Sequence, residues 1–166
     1  MILRFYNISV CVLLVLAFHS CKSKSDIAKP ENAISVKVSH EVGSQWKKES
    51  KYLGLPGNLA EILALQDQNK CLILSQPLRA GLKLDVLPIG VLRLGVEETD
   101  LNIILSYPID STLQTIHAKD LDEFATIHSS SKWIIEQWFL NHLGMGKVTI
   151  KGWESQEYVV NNILNK

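Results

Sequence analysis

The sequence predicts a mainly β domain, a small closed barrel flanked by two helices in its C-terminal third. Two observations support this prediction. Residues 82–106 contain three short apolar stretches, separated first by Pro88 and Gly90 and then by a polar turn. A glycine inside a strand pattern is typical of a barrel corner or a bulge. Residues 129–166 instead carry apolar side chains at helical spacing. Strands followed by helices indicate an α+β fold.

Alternation of apolar and polar residues locates each strand. Leu82, Leu84 and Val86 alternate with polar residues, as in a strand with one face in solvent. The other predicted strands lie at 34–38, 71–74, 91–94, 102–106 and 148–150. Polar residues 95–100 would form a hairpin loop, and residues 152–154 would form a turn.

The two helices are predicted from their caps and their apolar stripes. The first would begin at an N-cap among the serines 129–131 and end at Gly144. Its inward-facing side chains would be Ile134, Ile135, Trp138 and Phe139. The second helix would begin at Ser155. Its inward-facing side chains would be Val159, Ile163 and Leu164.

Length and charge limit the classes of function. A chain of 166 residues is typical of one domain with its own hydrophobic core. Its 17 Lys and Arg residues balance its 17 Asp and Glu residues. A nucleic-acid-binding domain needs a basic excess on one face. A nucleic-acid partner is therefore not expected.

The N-terminus has the pattern of a secretion signal. Arg4 precedes an apolar run at residues 8–18, which is too short to span a bilayer. Residues 18–21 resemble a bacterial lipoprotein cleavage site. We therefore expect a signal peptide at 1–20 and a lipid on Cys21, which would anchor the protein to a membrane of the cell envelope.

These signals divide the chain into a signal peptide, a tether at 21–32 and a folded domain at 33–166. The tether contains Ser, Lys and Pro and has no apolar period. The alternatives are an uncleaved signal anchor, or a secreted protein in which Cys21 stays free. Cleavage would remove Cys11 and lipidation would occupy Cys21, so that Cys71 could form no intramolecular disulfide.

Several short motifs, in the same order along residues 33–166, resemble those of the family I soluble inorganic pyrophosphatases. The most specific are Pro-Ile-Gly-Val-Leu at 88–92 and Gly-Trp-Glu at 152–154. Residues 55–62 are similar to the family's Tyr-Pro-x-Asn-Tyr motif, and residues 66–74 to its Asp-x-Asp-Pro-x-Asp motif. Residues 120–123 and the aromatic pair at 138–139 also match it. The resemblance implies an OB-like barrel.

The resemblance also implies a metal-dependent hydrolysis. In the family, Mg²⁺ ions held by aspartates neutralise pyrophosphate and activate a water molecule, while Lys, Arg and Tyr hold the phosphates. The family's site positions fall here on Lys47, Leu55, Leu59, Gln66, Gln68, Cys71, Val96, Asp100, Asn102, His142 and Leu143. Three central aspartates correspond to Gln66, Gln68 and Cys71. Lys47 and Asp100 alone keep their charge.

These departures predict a site without catalysis. A glutamine carbonyl is a neutral ligand, and a thiolate prefers softer metals than Mg²⁺. Several other changes introduce apolar side chains, as expected if the cavity has been packed shut. No cofactor is therefore expected, and Asp100 is the single matched carboxylate that could hold a metal ion.

The sequence gives less support to a zinc site or to a catalytic cysteine. No two of His40, His117, His128 and His142 share the close spacing of a zinc-ligand pair. Cys71 lies in an apolar strand, which predicts a buried thiol without a catalytic base.

Two functions of different class therefore stay open. One is a membrane-tethered binding or structural module without catalysis, whose small anion or protein partner the sequence leaves open. The other is an inorganic diphosphatase that hydrolyses pyrophosphate with Mg²⁺, weakly or through a relocated site. Carboxylates for such a site would be Asp67, Asp85, Glu97, Glu98 and Asp100.

Overall fold

The computed structural model describes residues 29–46, 54–65 and 68–165, and six strands lie within these ranges. They are β1 (Ile34–His40), β2 (Asn58–Ile62), β3 (Asn69–Ile73), β4 (Lys83–Val96), β5 (Thr99–Pro108) and β6 (Val148–Ser155). The sheet order is β1-β2-β3-β5-β4-β6, and an additional pairing of β1 with β4 closes β1–β5 into a ring. β6 lies outside the ring, against β4. The predicted barrel is confirmed.

Some predictions concern residues outside these ranges. They are the signal peptide, Cys21, Lys47, Gln66 and Asp67, and for them the sequence predictions stay predictions. The described part begins at Lys29, within the predicted tether, and Lys29 already contacts the barrel by an ion pair with Asp85. In the described ranges, no helix is long and apolar enough to cross a bilayer.

The central strand β4 is continuous, which corrects the predicted break at Pro88. Its register against β5 shifts between Pro88 and Gly90. This bulge accommodates a proline that cannot donate a ladder hydrogen bond. A Cβ at Gly90 would lie 2.9 Å from the carbonyl oxygen of Glu154. The close approach of β6 therefore requires glycine at position 90.

Two predicted turns are shorter than expected or absent. Glu97 and Glu98 alone join β4 to β5, with Glu97 at a φ of 55°, whereas the sequence predicted a loop over 95–100. Solvent-facing residues at the end of a strand resemble loop residues in a sequence, which explains the error. Residues 152–154 are likewise part of β6 rather than a turn. Gly152, at a φ of 140°, lies where the register against β4 shifts.

Apolar side chains form two cores on opposite faces of the strands. What we call the inner core receives residues from all five ring strands, among them Val36, Ala60, Cys71, Val91 and Ile104. The outer core lies between the other face of the strands and the helices, and includes Leu59, Leu72, Leu92 and Leu105. Successive strand residues point to opposite faces. The continuous apolar run at 71–74 therefore contributes to both cores.

Three α-helices follow β5 in the described part: α1 (Leu121–Ile127), α2 (Ser129–Asn141) and α3 (Gln156–Val159), with a 3₁₀ turn at Ser111–Leu113 and a π turn at Val160–Leu164. α1 was not predicted from the sequence. Asp120 caps it by accepting a hydrogen bond from the Glu123 backbone at 2.8 Å. Glu123 accepts one from the Lys119 backbone at 2.6 Å. The Asp-x-x-Glu spacing of a capping box was therefore present in the sequence.

The buried face of α2 is rotated from the predicted stripe. Ile135, Trp138 and Phe139 are buried as predicted, but Ile134 is 50% exposed and His142 is buried in its place. Positions 135, 138, 139 and 142 follow the i, i+3, i+4, i+7 pattern of one helix face. The serines 129–131 provide no N-cap, because His128 occupies that position without a side-chain hydrogen bond.

The last helix follows the prediction closely. Ser155 caps α3 by accepting a hydrogen bond from the Tyr158 backbone at 3.4 Å. Val159 and Ile163 are buried in the inner core, as predicted, and Leu164 is partly buried against it.

Candidate functional site

The two leucines that the sequence resemblance aligns with the family's tyrosines lie in the outer core. Leu59, on β2, is fully buried, and Leu55, just before β2, is 2% exposed. Backbone hydrogen bonds with Gly43 and Ser44, at 2.9 and 3.0 Å, hold Leu55 in place. Both side chains are hydrocarbons, so they stabilise the domain by packing and have no hydrogen-bonding group for a phosphate.

Asn58, which matches the same motif, has a structural role. Its Oδ1 accepts hydrogen bonds from the backbone nitrogens of Val42 and Leu78 at 3.1 and 3.0 Å. Its Nδ2 donates to Ser75 Oγ and to the Gln76 carbonyl, each at 3.0 Å. The buried amide thereby uses both its acceptor and its donor capacity. Asn58 joins three segments of the chain, and its place in the motif is structural.

His142 is buried in an aromatic cluster. Its ring stacks on Trp138, with centroids 5.1 Å apart, and on Trp46, with centroids 5.0 Å apart. Phe139 packs edge-on against the His142 ring. Nδ1 lies 2.6 Å from the Phe139 carbonyl oxygen, and it carries a hydrogen because a carbonyl only accepts. His142 thus extends the buried face of α2.

Five of the matched positions converge on the outer core. Val96 and Leu143 are partly buried and pack against it, beside the buried Leu55 and Leu59. His142 reaches the same region through Trp138 and Phe139. The family resemblance places substrate and metal contacts at these positions, and this chain fills the region with apolar and aromatic side chains.

Cys71 lies on the opposite side of β3, inside the barrel. It is fully buried, and its Sγ lies 3.3 Å from Ser106 Oγ. Burial raises the pKa of the Cys71 thiol to about 12, although the Ser106 hydrogen bond acts in the opposite direction. The thiol stays protonated near neutral pH, so it is neither a metal ligand nor a nucleophile there.

The amide side chains near the β3–β5 junction support the sheet. The Asn102 backbone donates to the Gln68 carbonyl at 3.0 Å. The Asn102 side chain donates to Asn69 Oδ1 at 2.9 Å. These groups are neutral, and they hold the parallel strands β3 and β5 together where the family resemblance places charged residues.

Asp100, the one carboxylate among the matched positions, is paired with a lysine. Lys151 on β6 donates a hydrogen bond and forms an ion pair with its carboxylate. This contact lowers the pKa of Asp100, with the hydrogen bond from Lys151 as the largest cause. Asp100 is exposed near the β4–β5 turn, away from the outer core. Lys151 was not predicted from the sequence as the partner of Asp100, because it lies on a different strand, 51 residues away.

The matched positions do not fit a Mg²⁺ cluster. Mg²⁺ binds hard oxygen ligands in octahedral geometry, and these positions offer a single carboxylate that already binds a lysine. Among residues 29–46, 54–65 and 68–165 there is no group of three His, Cys, Asp or Glu side chains suited to a metal ion. Two histidines bond locally instead: His40 to Ser39 and His128 to the His117 carbonyl.

A polar contact missed in the sequence links α2 to β6. Glu136 accepts hydrogen bonds from Lys132 Nζ at 2.5 Å and from Trp153 Nε1 at 2.6 Å. The Lys132 ammonium also lies 5.0 Å from the Trp153 ring centroid. The i, i+4 spacing of Lys132 and Glu136 was readable in the sequence, whereas the contact with Trp153 depends on the fold. The tryptophan of the Gly-Trp-Glu motif therefore anchors the helix.

No protein-family profile matches the chain, and no curated protein matches its sequence. Solved structures do match. The inorganic pyrophosphatase of Thermus thermophilus is similar with a TM-score of 0.69 and 16% identity, over 80% of this chain and 87% of that one. That of Helicobacter pylori has a TM-score of 0.66 and 20% identity, over 83% and 93%. That of Trypanosoma brucei brucei has a TM-score of 0.66 and 12% identity, over 83% and 53%. The fold is the OB-like barrel of the inorganic pyrophosphatases.

Proposed function

We propose that the chain is a lipid-anchored protein of the bacterial cell envelope that has the pyrophosphatase fold but does not hydrolyse pyrophosphate. It acts as a binding or structural module. The observation that carries this proposal is the packing of Leu55, Leu59 and His142 into an apolar and aromatic region. The family resemblance places phosphate-holding side chains at these positions.

The physical argument concerns charge. Pyrophosphate is a small, highly charged anion, and a buried charge is costly unless it is paired and hydrogen-bonded. Binding it at the outer core would require separating packed apolar side chains and supplying donors that Leu55 and Leu59 lack. Metal ions would need further carboxylates besides Asp100, and Asp100 is held by Lys151.

Phosphate release tests this proposal. The chain beginning at residue 22 is incubated with Mg²⁺ and pyrophosphate at neutral pH, beside a mock purification and a catalytically active inorganic pyrophosphatase. We expect no phosphate above the mock level. The combined substitutions Gln66→Asp, Gln68→Asp and Cys71→Asp should recover little activity, because Leu55, Leu59 and Leu143 still provide no donors. Position 71 also faces the inner core.

The second candidate is a diphosphatase with a relocated metal site. Glu97 and Glu98 are exposed at the β4–β5 turn and would have to supply its ligands, although the described residues contain no group of three side chains suited to a metal ion. Metal-dependent turnover by the unmodified chain, lost in Glu97→Gln/Glu98→Gln, would establish this candidate and overturn the first.

Membrane fractionation tests the anchor separately. Cys21→Ala should move the protein to the soluble fraction, because no acyl chain can then be attached. Cys11→Ala, a matched change within the predicted signal peptide, should leave the protein on the membrane. Retention of the Cys21→Ala protein on membranes would indicate an uncleaved signal anchor instead.

A further inference from the structure

We propose that one outward face of the barrel lies against the anionic lipid surface to which Cys21 tethers the protein. This inference rests on the lipid anchor proposed above. The face, which we call the β1–β4 face, consists of Lys29, Ser35, Lys37, Lys83 and Asp85. The occupant is a bilayer containing anionic headgroups.

Strand pairing places these side chains side by side. Ser35 and Lys37 on β1 are in register with Asp85 and Lys83 on β4. The alternating residues Ile34, Val36 and Val86 lie in the inner core. Because strand residues alternate between faces, the side chains of the β1–β4 face point away from the barrel.

The β1–β4 face has a positive excess. Lys29 donates to Asp85 Oδ1 at 2.7 Å and to Ser35 Oγ at 2.9 Å, and this pair neutralises the carboxylate. Lys37 and Lys83 remain, both exposed and directly opposite each other. Glu61 on β2, exposed and in register with Lys37, borders this face, so three ammonium groups lie beside two carboxylates, in a chain whose formal net charge is zero.

The Lys37–Lys83 pair is compensated by a carboxylate only on the Lys37 side, and only in part. In the described part of the chain, no ion pair or side-chain hydrogen bond involves either ammonium group. Glu61 on β2 is in register with Lys37 on one side, but it is equally in register with Lys70 on the other. Like charges directly opposite in a sheet are destabilising. An external anionic surface would relieve this repulsion.

The path of the chain brings the β1–β4 face to the membrane. Lys29, the first described residue, lies on this face through its contact with Asp85. Residues 22–28 separate it from Cys21, and a chain of that length reaches at most about 29 Å. This segment also contains Lys22 and Lys24, against Asp26. This length allows the face that holds Lys29 to reach the lipid surface.

The contribution of Lys37 and Lys83 to membrane binding follows from how lipidated proteins bind to bilayers. A single acyl chain gives marginal, reversible membrane binding, so lasting anchorage takes a second attraction, which further acyl chains on Cys21 or a basic patch can supply. Lysines near an anionic bilayer are attracted within about one Debye length, and salt weakens this attraction. Lys37 and Lys83 supply such a second attraction, and they orient the domain at the same time.

Vesicle co-sedimentation tests the β1–β4 face without the anchor. The probe is the chain beginning at residue 22, which contains both cores and all described helices, with its folding checked by circular dichroism. It should bind phosphatidylglycerol-containing vesicles at low salt, and bind phosphatidylcholine vesicles at least about tenfold more weakly. Because this chain lacks Cys21, the result is independent of whether lipid is attached in cells.

Paired variants decide whether this face is the one that binds. Lys37→Glu/Lys83→Glu should abolish binding to the anionic vesicles, and the milder Lys37→Gln/Lys83→Gln should reduce it. The control Lys119→Glu/Lys147→Glu makes the same charge change at exposed positions outside the β1–β4 face and should retain binding. Three outcomes would each overturn the proposal. The two double Glu variants could lose vesicle binding equally, the parent chain could bind neutral and anionic vesicles equally, or the folded parent chain could bind neither.

Discussion

Lys151 on β6 reaches the carboxylate of Asp100 on β5 by crossing the intervening strand β4. Gly95 of β4 lies at the crossing point, in register with both Asp100 and Thr149. A Cβ at Gly95 would lie 3.2 Å from Lys151 Cε and 2.7 Å from Thr149 Oγ1. The absence of a side chain at position 95 thus allows the ion pair, which attaches β6 to the ring.

Gly95→Ala should lower the free energy of unfolding by about 1–3 kcal/mol, because the added methyl group overlaps Thr149 and displaces Lys151. Urea denaturation measures the change. Thr149→Ala alone should have a small effect, and adding it to Gly95→Ala should recover part of the loss. Equal stability of Gly95→Ala and the parent protein would contradict the crossing geometry.

Lys151→Gln should raise the pKa of Asp100, because the hydrogen bond from Lys151 holds that pKa below its ordinary value. A ¹³C NMR titration of the carboxyl group measures it, with Lys119→Gln as a control that leaves it unchanged. The folded-state pKa lies below the unfolded-state pKa. The stabilisation is therefore present above the unfolded pKa and is lost as the pH falls through the folded pKa.

Glu136→Gln should destabilise the protein by about 1 kcal/mol at neutral pH, since a neutral amide oxygen would replace the charged carboxylate oxygen that accepts the hydrogen bonds from Lys132 and Trp153. Burial by itself would raise the pKa of Glu136, but the hydrogen bonds from Lys132 and Trp153 outweigh it and lower the pKa. The difference between variant and parent should be present above the unfolded pKa and shrink as the pH falls through the folded pKa. Denaturation at several pH values tests this, with Glu98→Gln in the exposed turn as a control of little effect.

Trp138→Ala should cost about 3–5 kcal/mol of unfolding free energy, because the indole is buried between the outer core and the stack with Trp46 and His142. Trp133→Ala is the matched control on the same helix. Trp133 is 61% exposed, so its loss should be within about 0.5 kcal/mol of neutral. Similar costs for the two variants would mean that α2 is rotated on the barrel.

Cys71 should not react with a disulfide reagent in the native protein at neutral pH, because burial raises its thiol pKa to about 12 and closes access. In the chain beginning at residue 22, Cys71 is the single cysteine. The rate of thiol modification should therefore follow the unfolded fraction as urea increases. Rapid modification in buffer alone would show that the barrel interior opens to solvent.

The residue types of the candidate site could be predicted from the sequence, but the geometry of the site could be predicted only in part. The replacements at positions 55, 59 and 71 predicted a filled cavity, and Leu55 and Leu59 indeed lie in the outer core. Cys71 does not join them, because it points to the opposite face of β3. A strand pattern shows which residues share a face. It does not show which face of a doubly buried strand meets which core.

The sequence by itself determined the mainly β class, most of the strand positions and the two later helices, because alternation and helical spacing are local properties that adjacent residues impose. The tertiary structure alone decided the closure of β1 onto β4, the bulge that keeps β4 continuous, and the exposure of Ile134. It also decided that Asp100 pairs with Lys151, 51 residues away. These features depend on contacts between distant segments, whose strength is set by the register and packing of the whole barrel.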